Sequence, residues 1–377
     1  MAVKKKRTSE DRITKTATLE DFTVDYVETN CIGLDLGMTN GKGLPRGAAI
    51  AIYAMPGCGK TTICADAIFR IIRAHKEKGL DYKVAYFASE DCSQLLTSMG
   101  LKEYIDSGDL IYETGTTDSP LTFNMLENGY RDMLADKGKY AGVKLVIVDS
   151  ITNIISETML DKDIGAGDFG SNAKDRAQFY PKYLASCKSK GITSIFLSHI
   201  RVKQNATAYE DPKRPAITDT DMHNMDIIAK LSKIEDSKIS DIRKIKVNTI
   251  FGQETLQDRY ILKISTCFAK PTKNRYGRVC DCLLLIEPGK RVINTYTMRC
   301  LLEGWGYVKQ NGAYYTISEE LCNKFDLPEN MRKNIRRKDI NVFTRENLKE
   351  LKEYLKLNDQ YRINISEERD EDEDDGM

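Results

Sequence analysis

Nowhere in the 377 residues do apolar side chains run for the roughly eighteen positions that a membrane-spanning helix needs. The basic start MAVKKKRTSEDR has no apolar segment behind it and does not read as a signal peptide. Ten cysteines occur, yet only Cys280 and Cys282 stand close together, and zinc sites are built from two such pairs at wider spacing. Scattered cysteines of this kind predict reduced thiols and a cytosolic compartment. Histidine is scarce, with three in the chain, and no internal repeat is visible. The formal net charge is only +1 and does not by itself suggest nucleic acid. That near-neutrality hides two blocks of opposite sign. Residues 1–16 hold six basic side chains against two acids, and 367–375 (EERDEDEDD) hold eight acids against one arginine. Such ends are ordinarily solvated tails.

Hydrophobic content of 41% and charged content of 30% are those of a globular protein. From residue 48 onward, short apolar runs alternate with helical patterns. AAIAIYA (48–54), KVAYFAS (83–89), DLIYET (109–114), KLVIVDS (144–150) and ITSIFLSHI (192–200) read as strands. Thr61 to about His75 and 122–138 read as helices, and 161–170 leads into another. The alternation predicts βαβ units and a mostly parallel sheet buried on both faces, an α/β doubly wound core. RVKQNATAYEDPKRPAITDTDM (201–222) is long, polar and aperiodic, and reads as a loop that is either functional or disordered. In 346–357, Leu348, Leu351, Tyr354 and Leu355 recur at helical spacing, with Thr344 as the expected cap.

The strongest local signal is IYAMPGCGKTT (52–62), where a strand ends in a glycine turn and a helix begins. The stretch Ala54, Met55, Pro56, Gly57, Cys58, Gly59, Lys60, Thr61, Thr62 matches a P-loop at its Gly-Lys-Thr end, with Ala54 in place of the usual first glycine. Gly57 and Gly59 let backbone amides turn inward around phosphates, and the helix N-terminus adds further donors. Lys60 is suited to the β- and γ-phosphates and Thr61 to Mg²⁺. Asp149 ends an apolar strand, where an unpaired charge is costly unless it serves an ion. Glu90 follows VAYFAS directly, and His199 closes another strand. Carboxyl ends of parallel strands gather over one crevice, so these residues are expected to converge on a nucleotide. Glu90 would activate the attacking water, and His199 would sense the γ-phosphate.

In order, GLDLGMTNGKGLPRGAAIAIYAMPGCGKTT (33–62), YFASE (86–90), LVIVDSITNI (145–154), SHIRVK (198–203), FAKP (268–271) and EGWGYVKQNGAYYTI (303–317) resemble the RecA recombinase family over roughly 30–320. The His before IRVK, the divergent N-terminus and the acidic tail make the chain most similar to its phage, UvsX-type branch. The resemblance implies a RecA-type P-loop ATPase core over 31–320 with a central, mostly parallel twisted sheet. A short N-terminal segment (1–30) would dock subunits, a helical extension would cover 321–366, and an acidic tail would follow over 367–377. It implies ATP and Mg²⁺ as cofactors, catalytic roles for Lys60, Glu90, Asp149 and His199, and Mg²⁺ ligation by Thr61 and Asp149. DNA-binding loops would lie near 160–170 and 201–222, with Lys174, Arg201 and Lys203 gripping phosphates without reading bases.

The implied activity is DNA-dependent ATP hydrolysis by a helical filament on single-stranded DNA. Such a filament pairs the strand with homologous duplex in recombination, repair and recombination-dependent replication. Single-strand-binding protein and a loader or mediator are implied partners, with no membrane, in the cytoplasm of the host cell if the gene is a phage's. Two departures stand out. ITDTDMHN (217–224) lacks the glycine pair that ends the family's second loop, and no lysine occurs at Ser265-Thr266-Cys267, where the family reaches into a neighbour's ATP. Lys270, Lys273 or Arg275 are the candidate substitutes. The same ATP-site residues would serve a RecA-fold hexameric helicase, although the chain shows no separate N-terminal domain of that kind. They would equally suit a non-catalytic ATP- and DNA-binding mediator, against which the intact Lys60, Glu90 and Asp149 speak.

Overall fold

The computed structural model describes residues 24–39, 41–116, 119–160, 171–202, 213–233, 244–249, 252–257, 264–276, 282–287 and 289–355. The N-terminal ITKTATL segment (13–19), residues 161–170, residues 203–212 within the 201–222 stretch and the acidic tail lie outside them.

Before the P-loop, β1 (Tyr26–Val27) and β2 (Leu44–Pro45) pair antiparallel across α1 (Ile32–Thr39). The core then runs β3 (Ala49–Ala54), α2 (Lys60–Lys76), β4 (Lys83–Ala88), α3 (Ser93–Ser98), α4 (Lys102–Asp106) and β5 (Leu110–Thr114). It continues through α5 (Phe123–Ala135), β6 (Val143–Asp149), α6 (Glu157–Leu160), α7 (Ser171–Ser189), β7 (Thr193–Val202), β8 (Lys213–Pro215), α8 (Asp219–Asn224) and β9 (Ile227–Lys233). β10 (Lys244–Thr249) and β11 (Gly252–Gln257) form a separate antiparallel hairpin. β12 (Ile264–Asn274) and β13 (Cys282–Ile286) return to the main sheet.

That sheet has nine strands in the order β13-β12-β9-β3-β7-β6-β4-β5, with β8 paired to β7 off this path. From β9 to β5 every pairing is parallel, and β12 and β13 add on antiparallel at one side. Alternation along β3 explains why helices cover both faces. Ile50, Ile52 and Ala54 join the core built with α1 and α2, while Ala49, Ala51 and Tyr53 join the core built with α5 and α7. The mostly parallel α/β sheet expected from the sequence is therefore present.

Two expectations change. The 201–222 stretch is not one loop: β7 extends through Val202, β8 pairs back onto it, and α8 starts in a capping box. There Thr218 Oγ1 accepts from the Asp221 amide and Asp221 Oδ2 accepts from the Thr218 amide. The aperiodic sequence concealed the helix, because six residues are too few to show a period. Thr344 is likewise not a cap. It lies inside α11 (Arg337–Glu346), buried, with Oγ1 donating to the Ile340 carbonyl at 2.7 Å. A further helix over 348–355 follows, with Leu351 and Leu355 buried and Leu348 and Tyr354 packed against the core.

Preceding these come α9 (Asn294–Gly304), the hairpin β14 (Val308–Asn311) and β15 (Tyr314–Ile317), α10 (Glu319–Lys324) and β16 (Ile335–Arg336). β16 pairs with β15 in a small sheet that straddles residue 320. The last helix is tied to the start of the chain: Lys352 Nζ lies 3.3 Å from both Asp35 Oδ2 and Glu28 Oε2. Burial raises the Asp35 pKa above the usual carboxylate value, opposed by Lys352 and by donors from Thr29. Among the described residues no helix is long and apolar enough to cross a membrane, and no disulfide joins the cysteines.

Candidate nucleotide site

β3 ends at Ala54, fully buried, and within five residues the chain has turned and entered α2. The turn uses the left-handed region twice, at Gly57 (φ 75°) and Gly59 (φ 85°), where any other residue is strained. The two glycines serve different purposes. A Cβ on Gly59 would lie 2.4 Å from Ile286 Cδ1, so close packing against β13 requires its absence. A Cβ on Gly57 would meet nothing within 4 Å, so that turn borders open space. Gly59 provides no side-chain cap, which leaves the first amides of α2 without an oxygen acceptor from the cap. Glycine freedom, open space and uncapped amides at a seventeen-residue helix together fit an anionic group such as a phosphate chain.

Lys60 is 8% exposed and donates from Nζ to the Ala54 carbonyl at 3.2 Å, folding back over its own loop. Burial lowers its pKa from the ordinary lysine value; Asp149, Cys58 and Glu90 oppose that shift. Thr61 Oγ1 donates to Asp149 Oδ2 at 2.6 Å, and the Tyr86 hydroxyl donates to the same oxygen at 2.7 Å. Tyr86 is completely buried on β4, and burial, then Asp149, pushes its pKa well above the ordinary tyrosine value. A hydroxyl and a carboxylate in contact are hard oxygen donors of the kind Mg²⁺ accepts. No cluster of three His, Cys, Asp or Glu exists among the described residues. A cation held here would therefore draw its other ligands from a nucleotide or water, as is usual for Mg²⁺.

The neighbouring strand tips lie level. Ala88 pairs with Asp149 and Ala54 with His199. β4 and β6 are pinned beyond their ladder by the Ser89 amide donating to the Asp149 carbonyl at 2.6 Å and the Ser150 amide donating to Ser89 Oγ at 2.9 Å. The Asp149–Ser150 peptide is cis. Glu90, exposed just past β4, accepts from Asn153 Nδ2 at 2.7 Å. The same Asn153 nitrogen lies 3.5 Å from His199 Nε2. The carboxyl-end side of β3, β4, β6 and β7 thus brings together Lys60, Thr61, Asp149, Glu90 and His199.

The remaining candidates are spread out. Lys174 is exposed in the first turn of α7, and Arg201 is exposed on β7 two residues beyond His199. Lys203 lies outside the described residues, as does the side chain of Lys270 on β12. Lys273 and Arg275 sit at the opposite end of the sheet, because β12 runs antiparallel and Asn274 pairs with Ile227 at the start of β9. Lys273 Nζ donates to the Met222 and His223 carbonyls, and burial lowers its pKa. Arg275 is paired with Asp226 at 2.9 Å. Within the subunit, neither approaches the P-loop.

Sequence reasoning missed Tyr86, Asn153 and Ser89. Tyr86 carries the one hydroxyl-tipped aromatic ring of its strand, but its alternation pattern marks it only as core. Asn153 stands four residues past Asp149, a spacing without meaning until the chain beyond β6 turns over the crevice.

The sequence is similar to those of known proteins. The family described as the RecA N-terminal domain matches residues 1–250. Protein RecA of Arthrospira platensis is 24% identical over 310 residues, covering 79% of this chain and 71% of that protein. Protein RecA of Tropheryma whipplei is 28% identical over 187 residues, 48% of this chain and 37% of that protein, and that of Clostridioides difficile is 24% identical over 185 residues, 48% and 47% respectively. The match thus spans less than half the length of these last two relatives.

Proposed function

The chain belongs to the RecA family, and from that premise we propose that it is an ATP-dependent DNA recombinase of the phage, UvsX-type branch. In this reading it polymerises on single-stranded DNA and pairs it with homologous duplex, with single-strand-binding protein and a loader as partners. The observation that carries the ATPase part is the Thr61–Asp149 contact beside an open glycine turn, with Glu90 on the next strand tip. Bound ATP with Mg²⁺ supplies the phosphoanhydride that is cleaved to ADP and phosphate.

The chain's own groups divide the work. The turn at Gly57 and Gly59 and the uncapped amides of α2 bind the phosphate oxygens. Lys60, drawn out of water by its loop, needs only to swing from the Ala54 carbonyl to meet an anion. Thr61 and Asp149 offer adjacent oxygens to the divalent ion. Glu90 orients a water and accepts its proton. Arg201, following His199 along β7, and Lys174 at the head of α7 give the DNA backbone cationic partners.

The test is homologous pairing: purified protein, ATP and Mg²⁺, a labelled single strand, and supercoiled duplex with or without the matching sequence. Joint molecules are expected only with the matching duplex and are lost with Lys60→Ala. Unwinding of a forked duplex without joint molecules would replace this reading with a helicase. DNA binding with neither activity would point to a mediator.

A further inference from the structure

Asn153 is neither a ligand of the P-loop nor part of any strand, yet it touches two residues of the site that do not touch each other. Its amide orientation is dictated by chemistry. A carboxylate can only accept, so the atom 2.7 Å from Glu90 Oε1 must be the NH₂ group. An amide nitrogen cannot accept, so the contact at 3.5 Å with His199 Nε2 requires that ring nitrogen to accept as well. Read as a hydrogen bond, this contact corresponds to the tautomer with the proton on Nδ1. Asn153 is itself held by its backbone amide, which donates to the Ser150 carbonyl at 3.0 Å, one residue beyond Asp149.

We propose that Asn153 is a positioning residue that joins Glu90 to His199, so that displacement of the β7 end, and of Arg201 two residues beyond it, moves the Glu90 carboxylate. The proposal rests on the ATPase reading for its kinetic consequence and on the geometry alone for its tautomeric one. A DNA strand drawing on Arg201 would pull on β7, and His199 and Asn153 would carry that pull to Glu90.

Two measurements on the full chain test it. In ¹⁵N-histidine NMR, His199 is expected as the Nδ1–H tautomer in the wild type and to revert to Nε2–H in Asn153→Ala. Identical His199 spectra in the two proteins would overturn the link. In steady-state hydrolysis, Asn153→Ala and Asn153→Asp are each expected to lower the kcat stimulated by single-stranded DNA about tenfold or more, with KM for ATP within about threefold. Asn153→Gln, which keeps the donor, should recover part of the loss. Wild-type stimulation in Asn153→Asp, whose carboxylate cannot donate to Glu90, would refute the positioning role. A wild type inert toward ATP would sink the recombinase reading instead, while the histidine spectra would still decide the link.

Discussion

The two ends of the parallel sheet carry similar side chains and treat them in opposite ways. At the amino end, Asp226 is 5% exposed and fully occupied: Oδ2 accepts from the Ala49 amide at 3.0 Å and Oδ1 from Arg275 at 2.9 Å. Lys273 there caps the carbonyls at the end of α8. At the carboxyl end the helix donors are left uncapped, one glycine turn faces open space, and Glu90 is exposed with a side-chain amide as its partner. A buried carboxylate with both oxygens occupied holds the fold together. A charge beside unfilled donors and open space is kept available for a ligand.

The comparison can be broken at either end. The largest effect is expected from Glu90→Gln, which keeps the shape and removes the carboxylate proposed as the base. Turnover of ATP should fall about a hundredfold or more while nucleotide binding persists. Equal hydrolysis by mutant and wild type would remove Glu90 from its assigned role. At the other end, Asp226→Ala should cost about 2 kcal/mol in denaturant unfolding, since the Ala49 amide loses its side-chain acceptor and the exposed half of Arg275 adds little. Nucleotide affinity of the folded molecules should not change; a variant that weakened ATP binding instead would show that the two ends are coupled. The smallest effect is expected from Tyr86→Phe, which deletes one buried hydroxyl and leaves Asp149 bonded to Thr61. A loss of about 1 kcal/mol is expected. Unaltered unfolding would mean that the Tyr86 hydroxyl contributes nothing net to holding Asp149.

How much of this was legible beforehand follows a physical line. The P-loop, the strands that feed it, and the acids at the ends of β4 and β6 are local patterns, since strand, turn and helix start are encoded within a dozen residues. α8 and α11 were missed because one is too short to show a period and the other begins without a side-chain cap. Lys273 and Arg275 were candidates for a neighbour's nucleotide because their distance from the P-loop cannot be read from their distance along the chain. The antiparallel return of β12 carries them to the far end of the sheet.

The sequence alone determined that a glycine turn of P-loop pattern sits on a parallel α/β sheet, and which side chains stand at the strand tips, because these depend on neighbours along the chain. Only the tertiary structure decided which of them meet. Thr61 and Asp149 are 88 residues apart, Asn153 and Glu90 are 63, and Lys352 lies 317 residues from Asp35. Such pairs depend on strand order, register and direction, which are fixed by the packing of the whole core and by no single segment.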